Sequence, residues 1–298
     1  MKAECVLECS SWLGEGPLWV APEGRLYWTD VTSYEVHSWD PVRGTHEVTK
    51  TPEMVTAMAT RRSGGLIVAA ASGLDLWDLA DGDRIRFVEP EVHLPGNRSN
   101  DGKCDRRGRF WLGTMANNLN GDGTGRDLTG RTGNLYRIDG DGTVHHMDGP
   151  FGVCNTLAWS PDDRTMYFAD SLEGIYCYDF DAEAGEVSNR RMFARTDDPA
   201  HGVPDGSTID SDGFLWNCRW GGGGIIRWAP DGTIDRKIDL PCALVTSATF
   251  GGADLDTLYV TTARHGLSAS ELAEQPLAGG IFAIDAGVRG IAETPFAG

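Results

Sequence analysis

Four oxygen-bearing side chains recur at one position of a repeating pattern in this chain of 298 residues. Each lies 10 or 11 residues before the central residue of a short apolar run; they are Glu15, Asn100, Asn155 and Asp205. Thr246 and Ser247 hold the same place before the last run. Equivalent positions of a circular repeat face one point, so we expect these side chains to meet although they are distant in sequence.

The residue types at this position indicate a divalent metal site. Two carboxylates, Glu15 and Asp205, would repel one another unless a cation or a proton neutralises them. Carboxylate and amide oxygens suit Ca²⁺, Mg²⁺ or Mn²⁺, and they are compatible with Zn²⁺ or Fe²⁺. The alternative is structural, because Asp in Pro-Asp-Gly and Asn in Asn-Asp-Gly are common turn residues. The shared position in the repeat favours the metal site.

The apolar runs themselves form a repeat. Their central residues are spaced by 40, 44, 56, 49 and 43 residues, at Leu26, Leu66, Phe110, Met166, Leu215 and Leu258. A second run, such as Val36–Asp40 or Ile281–Asp285, follows most of them. Repeats of about 40–50 residues with several strands each are typical of propeller blades. We therefore predict an all-β, six-bladed β-propeller with a metal site on its central axis.

Gly and Pro are spread over the whole length, so we expect residues 1–298 to form one propeller domain without a linker. We expect ring closure to join a strand near Cys5–Glu8 to the last blade near Gly290–Glu293. The widest spacing contains a polar insertion, Ala116–Gly130, which we place at the mouth of the site. Of seven histidines, His201 and His265 lie near runs that reach this mouth.

The sequence resembles the gluconolactonase/regucalcin family, also called the senescence marker protein family. Members of that family are six-bladed propellers with a divalent metal on the axis. The resemblance covers essentially the whole chain. The matching motifs are Gly14–Trp19, Arg98–Lys103, Gly108–Met115, Asn155–Ser160, Ser188–Arg191, Pro204–Ser207, Phe250–Gly252, Thr261–Arg264 and Pro276–Phe282.

The resemblance implies a role for individual residues. Glu15, Asn155 and Asp205 would bind the metal. Arg98 and Asn100 would line the pocket that receives the oxygens of the substrate.

The chain departs from the family pattern at two of these places. Thr156 follows Asn155 where the family often has Gly. Asn118, which we include among the substrate-binding residues, stands where some relatives have a substrate-contacting Glu. The second change bears on which sugar is preferred.

The reaction that the resemblance implies is metal-dependent hydrolysis of a sugar aldonolactone, such as a glucono-, xylono-, arabinono- or galactono-lactone, to its aldonic acid. Lactone opening needs a polarised carbonyl, an activated water and a stabilised oxyanion, and one metal with open positions can serve all three needs. Asp205 is the candidate general base. Two alternatives remain: hydrolysis of another ester, such as an aryl ester or a phosphotriester, and a non-catalytic calcium-binding or interaction propeller.

Composition restricts the partners. The formal net charge of −18 disfavours nucleic acid and anionic membrane surfaces, whereas a neutral sugar lactone is unaffected. No apolar run approaches the roughly 18 residues of a membrane span. Acidic residues near the start interrupt the apolar stretch of a secretory signal, and the seven cysteines include no C-x-x-C pair. We therefore expect a cytoplasmic protein that is a monomer or a weak homodimer.

Overall fold

The computed structural model describes residues 1–79, 82–195 and 197–298, and its strands form six four-stranded antiparallel sheets. The innermost strands of neighbouring sheets contact one another in a closed circle, so the sheets are the six blades of a ring. The prediction of an all-β, six-bladed β-propeller is confirmed. No helix in these ranges is both long and apolar enough to cross a bilayer.

Each blade has four strands that follow one another from the axis outward. The innermost strands are β2 (Gly14–Val20), β6 (Val55–Thr60), β10 (Asn97–Cys104), β14 (Cys154–Trp159), β18 (Val203–Ile209) and β22 (Val245–Gly251). The second strands are β3 (Arg25–Asp30), β7 (Leu66–Ala70), β11 (Phe110–Ala116), β15 (Thr165–Asp170), β19 (Leu215–Trp220) and β23 (Thr257–Thr262). All six central residues of the sequence repeat fall in these second strands.

The outer half of each blade completes the sheet. The third strands are β4 (Glu35–Asp40), β8 (Leu74–Trp77), β12 (Gly133–Ile138), β16 (Gly174–Asp181), β20 (Gly224–Trp228) and β24 (Ile281–Asp285). The outermost strands are β5 (Thr45–Lys50), β9 (Arg84–Val88), β13 (Val144–Phe151), β17 (Glu186–Arg195), β21 (Ile234–Asp239) and β1 (Ala3–Leu7). Two short helices complete the elements: the 3₁₀-helix Pro199–His201 and α1 (Ala269–Glu274).

The sixth blade closes the ring with the N-terminal strand. β1 pairs antiparallel with β24, and Cys5 lies opposite Phe282. The prediction that a strand near Cys5–Glu8 completes the last blade is confirmed, whereas the expected partner segment Gly290–Glu293 is wrong. One edge of β24 is already paired with β23, so its other edge is the one that β1 can complete. The chain after β24 instead crosses the lower end of the ring, where the innermost strands finish, and Gly290 pairs there with Asp210.

Large aromatic side chains fill the space between blades. Trp28, Trp111 and Trp216 lie in second strands and are fully buried. Trp111 packs edge-on against Trp159 and Phe180 of the fourth blade. Each such ring buries about 150–250 Å² of surface, so these contacts hold neighbouring blades, and hence their innermost strands, at a fixed separation.

A buried carboxylate fastens the inner hairpin of the fifth blade. Asp210, which directly follows β18, accepts hydrogen bonds from the Trp216 indole N–H at 2.8 Å and from the Arg227 guanidinium at 2.6 Å. In the third blade Asp105 accepts the indole N–H of Trp111 at 2.9 Å. These bonds fix the turn below each inner strand and satisfy the buried indole donors.

The polar insertion after β11 folds back onto the first blade. Leu119 packs against Val31 and Met54. The Tyr34 hydroxyl donates a hydrogen bond to the carbonyl of Gly121 at 3.2 Å. These contacts place the insertion across the upper end of the ring, where the innermost strands begin.

Replacing Asp210 with Ala should lower the free energy of unfolding by about 3–5 kcal/mol, because it leaves the Arg227 charge and the Trp216 donor without this buried partner. Urea denaturation followed by tryptophan fluorescence measures the change. Asp212→Ala is the matched control, since Asp212 is an exposed carboxylate in the same turn. Equal stability of the two variants would contradict the assignment of Asp210 as a structural clamp.

Candidate active site

One cavity of about 240 Å³ opens at the upper end of the ring. Four of the residues that share the repeat position line it together: Glu15, Asn100, Asn155 and Asp205. Arg98 and Asn118 also line it, so all six residues singled out from the sequence meet in one place. The remaining wall consists of Leu13, Val31, Thr56, Met115, Leu119, Val153, Ser171, Leu172, Val203, Trp220 and His265.

Thr246 and Ser247 do not line this cavity. Thr246 is fully buried, and its hydroxyl donates to the carbonyl of Gly14 at 2.6 Å. In the sixth blade the repeat position therefore joins the last blade to the first instead of presenting an oxygen to the cavity.

A break in strand register lies at the same height in every innermost strand. The pairing with the second strand shifts between Glu15 and Leu18, Val55 and Ala57, Ser99 and Asp101, Asn155 and Leu157, Pro204 and Ser207, and Val245 and Ala248. A β-bulge frees a residue from regular pairing and re-aims its side chain. The bulges occur where the inner strands pass the polar residues of the cavity.

Glu15 and Asp205 bring two carboxyl groups into a poorly hydrated space. Burial, followed by the negative charges of Asp205 and Asp101, raises the pKa of Glu15 well above its usual value. Burial, followed by the charge of Asp101, raises the pKa of Asp205 in the same direction. Two ionised carboxylates at this position are thus unfavourable without a compensating positive charge.

A directed chain of hydrogen bonds orients Asn155. Its amide nitrogen donates to the hydroxyl of Ser171 at 2.9 Å, and that hydroxyl donates to the carbonyl of Pro204 at 2.7 Å. Its amide oxygen accepts from the amide nitrogen of Asn100 at 3.1 Å. Because the nitrogen is engaged by Ser171, the oxygen of Asn155 is turned toward the side of the cavity shared with Asn100.

Arg98 is a buried cation with neutral partners. One guanidinium nitrogen donates to the carbonyl of Ser99 and to Oδ1 of Asn100, both at 2.8 Å, and the other donates to Oδ1 of Asn118 at 3.0 Å. Its Nε is buried and has no hydrogen-bond partner among the described residues. Burial lowers the pKa of Arg98 to about 10, which leaves the side chain charged at neutral pH.

A second buried arginine supports Asp205 from behind. Arg219 donates to Oδ1 of Asn217 at 2.7 Å, and Asn217 donates in turn to the backbone carbonyl of Asp205 at 3.0 Å. Arg219 also donates to the carbonyl of His201 at 2.8 Å, which ties the 3₁₀-helix before β18 to β19. The charges of Arg219 and Arg98 oppose the rise in the pKa of Asp205. No pattern in the sequence pointed to Arg219.

Thr156, the residue after Asn155, adopts a left-handed backbone conformation with φ of 56°. Gly16 holds the same place after Glu15 with φ of 53°. This region is unfavourable for a β-branched residue and free of cost for glycine. The hydroxyl of Thr156 donates to the carbonyl of Asp205 at 2.6 Å, so the threonine joins the fourth and fifth blades through a bond that glycine could not make.

Several other wall residues were not identified as site residues from the sequence. Thr56 lies 10 residues before Leu66 and could have been found from the repeat offset. His265 lines the cavity mouth, in agreement with its position after a second strand. Ser171 and Trp220 carry no comparable signal, because they reach the cavity through the ends of second strands.

A separate group of potential metal ligands, Asp30, Glu35 and His37, lies on the first blade. Its atoms are already bonded within the protein. Asp30 accepts two backbone amides, at 2.8 and 3.0 Å. Glu35 pairs with Lys50 at 2.6 Å, and Nδ1 of His37 lies 3.0 Å from Nε2 of His46. These bonds join strands within the first blade and leave the group suited to a structural role.

The axial donors fit a hard divalent cation better than this group does. Glu15, Asn155 and Asp205 offer two carboxylates and one oriented amide oxygen, and all three face an open cavity. A doubly charged ion would balance the two carboxylates, and oxygen is the ligand atom that Ca²⁺, Mg²⁺ and Mn²⁺ prefer. The cavity leaves room beside these donors for water and a small substrate.

Comparison with known proteins gives consistent matches over the chain. Residues 13–264 match the family model described as the SMP-30/gluconolactonase/LRE-like region. A 6-deoxy-6-sulfogluconolactonase from Pseudomonas putida is 38% identical over 298 residues, covering 99% of this chain and 98% of the relative. A pentonolactonase from Haloferax volcanii is 37% identical, covering 88% and 86%. The crystal structure of a calcium-binding protein, regucalcin, from Agrobacterium tumefaciens is 30% identical, with a TM-score of 0.90 over 98% of this chain and 96% of that one.

The raised carboxyl pKa values predict how the metal-free protein responds to pH. A carboxyl whose pKa is raised by folding stabilises the folded protein at low pH. This contribution to the free energy of unfolding is lost as the pH rises above the pKa of the carboxyl in the unfolded chain, which is about 4. Chelator-treated protein should therefore become less stable toward neutral pH. Glu15→Gln should flatten this fall and raise the free energy of unfolding at neutral pH by about 1 kcal/mol or more, since it removes one of the two charges.

Urea denaturation in chelator between about pH 5 and about pH 8 tests this expectation. Glu8→Gln is the control, because Glu8 is exposed on the chain after β1. If Glu15→Gln showed the same pH dependence of stability as the unchanged protein, the Glu15–Asp205 pair would not be the cause of the fall in stability toward neutral pH.

Proposed function

The chain belongs to the SMP-30/gluconolactonase/LRE-like family, and we propose that it hydrolyses a sugar aldonolactone to the aldonic acid with the help of one divalent cation. The observation that carries the proposal is the meeting of Glu15, Asn155 and Asp205 in one open cavity beside the buried cation of Arg98. The names of the Pseudomonas and Haloferax relatives, both lactonases, support the reaction class.

Glu15, Asn155 and Asp205 hold the cation in this proposal. Such an ion would supply Lewis-acid chemistry, which polarises a lactone carbonyl and makes water more acidic. Ca²⁺ is the first ion to test, because the donors are all oxygen and the Agrobacterium neighbour is a calcium-binding protein. Mg²⁺, Mn²⁺, Zn²⁺ and Fe²⁺ form the rest of the panel.

The chain's own groups position the substrate and move the proton. Asp205 accepts a proton from the water that attacks the carbonyl carbon, and it returns this proton to the ring oxygen as the acyl–oxygen bond breaks. The charges of Arg98 and Arg219 oppose the rise of the pKa of Asp205 that burial causes. Arg98 donates to oxygens of the lactone, and Asn100 holds its guanidinium in place at 2.8 Å. Asn118 contributes the remaining polar edge of the substrate pocket.

The apolar part of the wall has a separate role. Leu13, Val31, Leu119, Leu172 and Trp220 surround the polar axis. Apolar side chains of this kind pack against the carbon–hydrogen faces of a sugar ring and exclude bulk water from the reacting carbonyl. Glucono-, xylono-, arabinono- and galactono-lactones are the substrates to compare.

Asp205→Asn should lower kcat/KM for gluconolactone by about 100-fold or more, because it removes a charged ligand and the proton acceptor together. Proton release is measured on chelator-treated protein to which each cation is returned singly, with the spontaneous rate subtracted. Asp231→Asn is the control, since it makes the same change at an exposed turn of the fifth blade.

Hydrolysis by chelator-treated protein without an added cation would contradict the proposed dependence on a metal ion. Rates equal to the spontaneous rate for every lactone and every cation would overturn the lactonase assignment. Cation binding without turnover would then favour a binding propeller.

A further inference from the structure

The cavity is lined by acidic and by basic side chains. Glu15 and Asp205 are the only carboxylates that line it among the described residues, and both lie on innermost strands near the axis. Arg98 and His265 are the only basic side chains in this wall. Arg98 lies at the start of β10, Asn118 follows the end of β11, and His265 follows the end of β23. Asn118 and His265 follow second strands and therefore lie on the mouth side of the carboxylates, and Arg98 donates a hydrogen bond to Asn118 at 3.0 Å.

The charge of Arg98 has no partner of opposite sign in contact with it. Its hydrogen bonds go to one carbonyl and two amide oxygens, and its buried Nε is free of partners within the described ranges. Burying a guanidinium without a carboxylate is costly, so a ligand that brings its own negative charge gains from the contact. Asn118 is decisive here, because a carboxylate in its place would neutralise Arg98.

His265 faces the same space. It is half-buried and forms no hydrogen bond with any residue that the structure describes. A Cβ added to Gly125 would lie 3.2 Å from its Nε2, so the ring stands against the insertion at the mouth. Burial, followed by the charge of Arg98, lowers the pKa of His265. A neutral imidazole of this kind still offers one N–H donor.

We propose that Arg98, Asn118 and His265 form a subsite for an anionic oxygen group. The preferred substrates are then aldonolactones that carry a phosphate, sulfonate or carboxylate at the carbon furthest from the ring carbonyl. This inference rests on the proposed lactonase activity. A divalent cation held by Glu15 and Asp205 would balance their charges, which leaves Arg98 as the uncompensated charge that the substrate meets.

The first experiment compares kcat/KM for 6-phosphogluconolactone and gluconolactone on the full chain with its activating cation. The phosphorylated lactone should be preferred by about tenfold or more, since a hydrogen bond between charged partners exceeds one between neutral groups. The preference should shrink as salt is added. A ratio near one would overturn the subsite.

Asn118→Glu places a carboxylate beside Arg98 and should bring this ratio close to one. Asn120→Glu is the matched control, because it makes the same change two residues further along the insertion, on an exposed side chain that does not line the cavity. Retention of the preference in Asn118→Glu, or its loss in Asn120→Glu, would contradict the assignment.

A binding measurement separates this inference from the proposed reaction. Titration calorimetry with 6-phosphogluconate and gluconate should show tighter binding of the phosphorylated acid by about tenfold, and Asn118→Glu should remove the difference. If no lactone is hydrolysed, the proposed function is wrong, but the difference in binding between the two acids still tests whether the anionic subsite exists. Parallel assays with the 6-sulfonate and the glucaric acid lactone identify which anionic group is preferred.

Discussion

The arrangement at the axis depends on one electrostatic constraint, which is that burial and neighbouring carboxylates disfavour the ionised forms of both Glu15 and Asp205. Burial and the neighbouring Asp101 raise the pKa of each carboxyl, so the ionised pair is stable only beside a positive charge. Arg98 and Arg219 direct their hydrogen bonds to amide and carbonyl oxygens and not to these carboxylates. In the proposed reaction, a divalent cation would balance the two charges and would supply the Lewis-acid chemistry that lactone opening requires.

Rigid packing around the axis maintains this unfavourable pair. Interblade aromatic contacts such as that of Trp111 with Phe180 fix the separation of the inner strands. Bulges then aim the polar side chains, and the bond from Thr156 to the carbonyl of Asp205 locks two blades at site height. The left-handed backbone of Thr156 is a local strain that this bond and the surrounding packing must offset.

The upper part of the cavity is built differently, from loops that follow the second strands. Asn118 and His265 come from two such loops, whereas Glu15 and Asp205 lie on strands. A scaffold that fixes the reacting centre and loops that contact the rest of the substrate is a common division of labour in enzymes. In the proposed site, a substitution at Asn118 would change the substrate preference without moving the axial donors.

The sequence by itself determined the blade count, the second strands and the meeting of Glu15, Asn100, Asn155 and Asp205, because a circular repeat sends equivalent positions to one point. It placed the ring closure at Gly290–Glu293, whereas the free edge of β24 decided the true pairing with β1. Only the tertiary structure assigned Arg219 its place behind Asp205, left Arg98 among neutral partners and removed Thr246 from the cavity. Periodicity specifies which backbone positions face the axis, but the direction of a side chain depends on bulges and on neighbouring blades, whose contacts are distant in sequence.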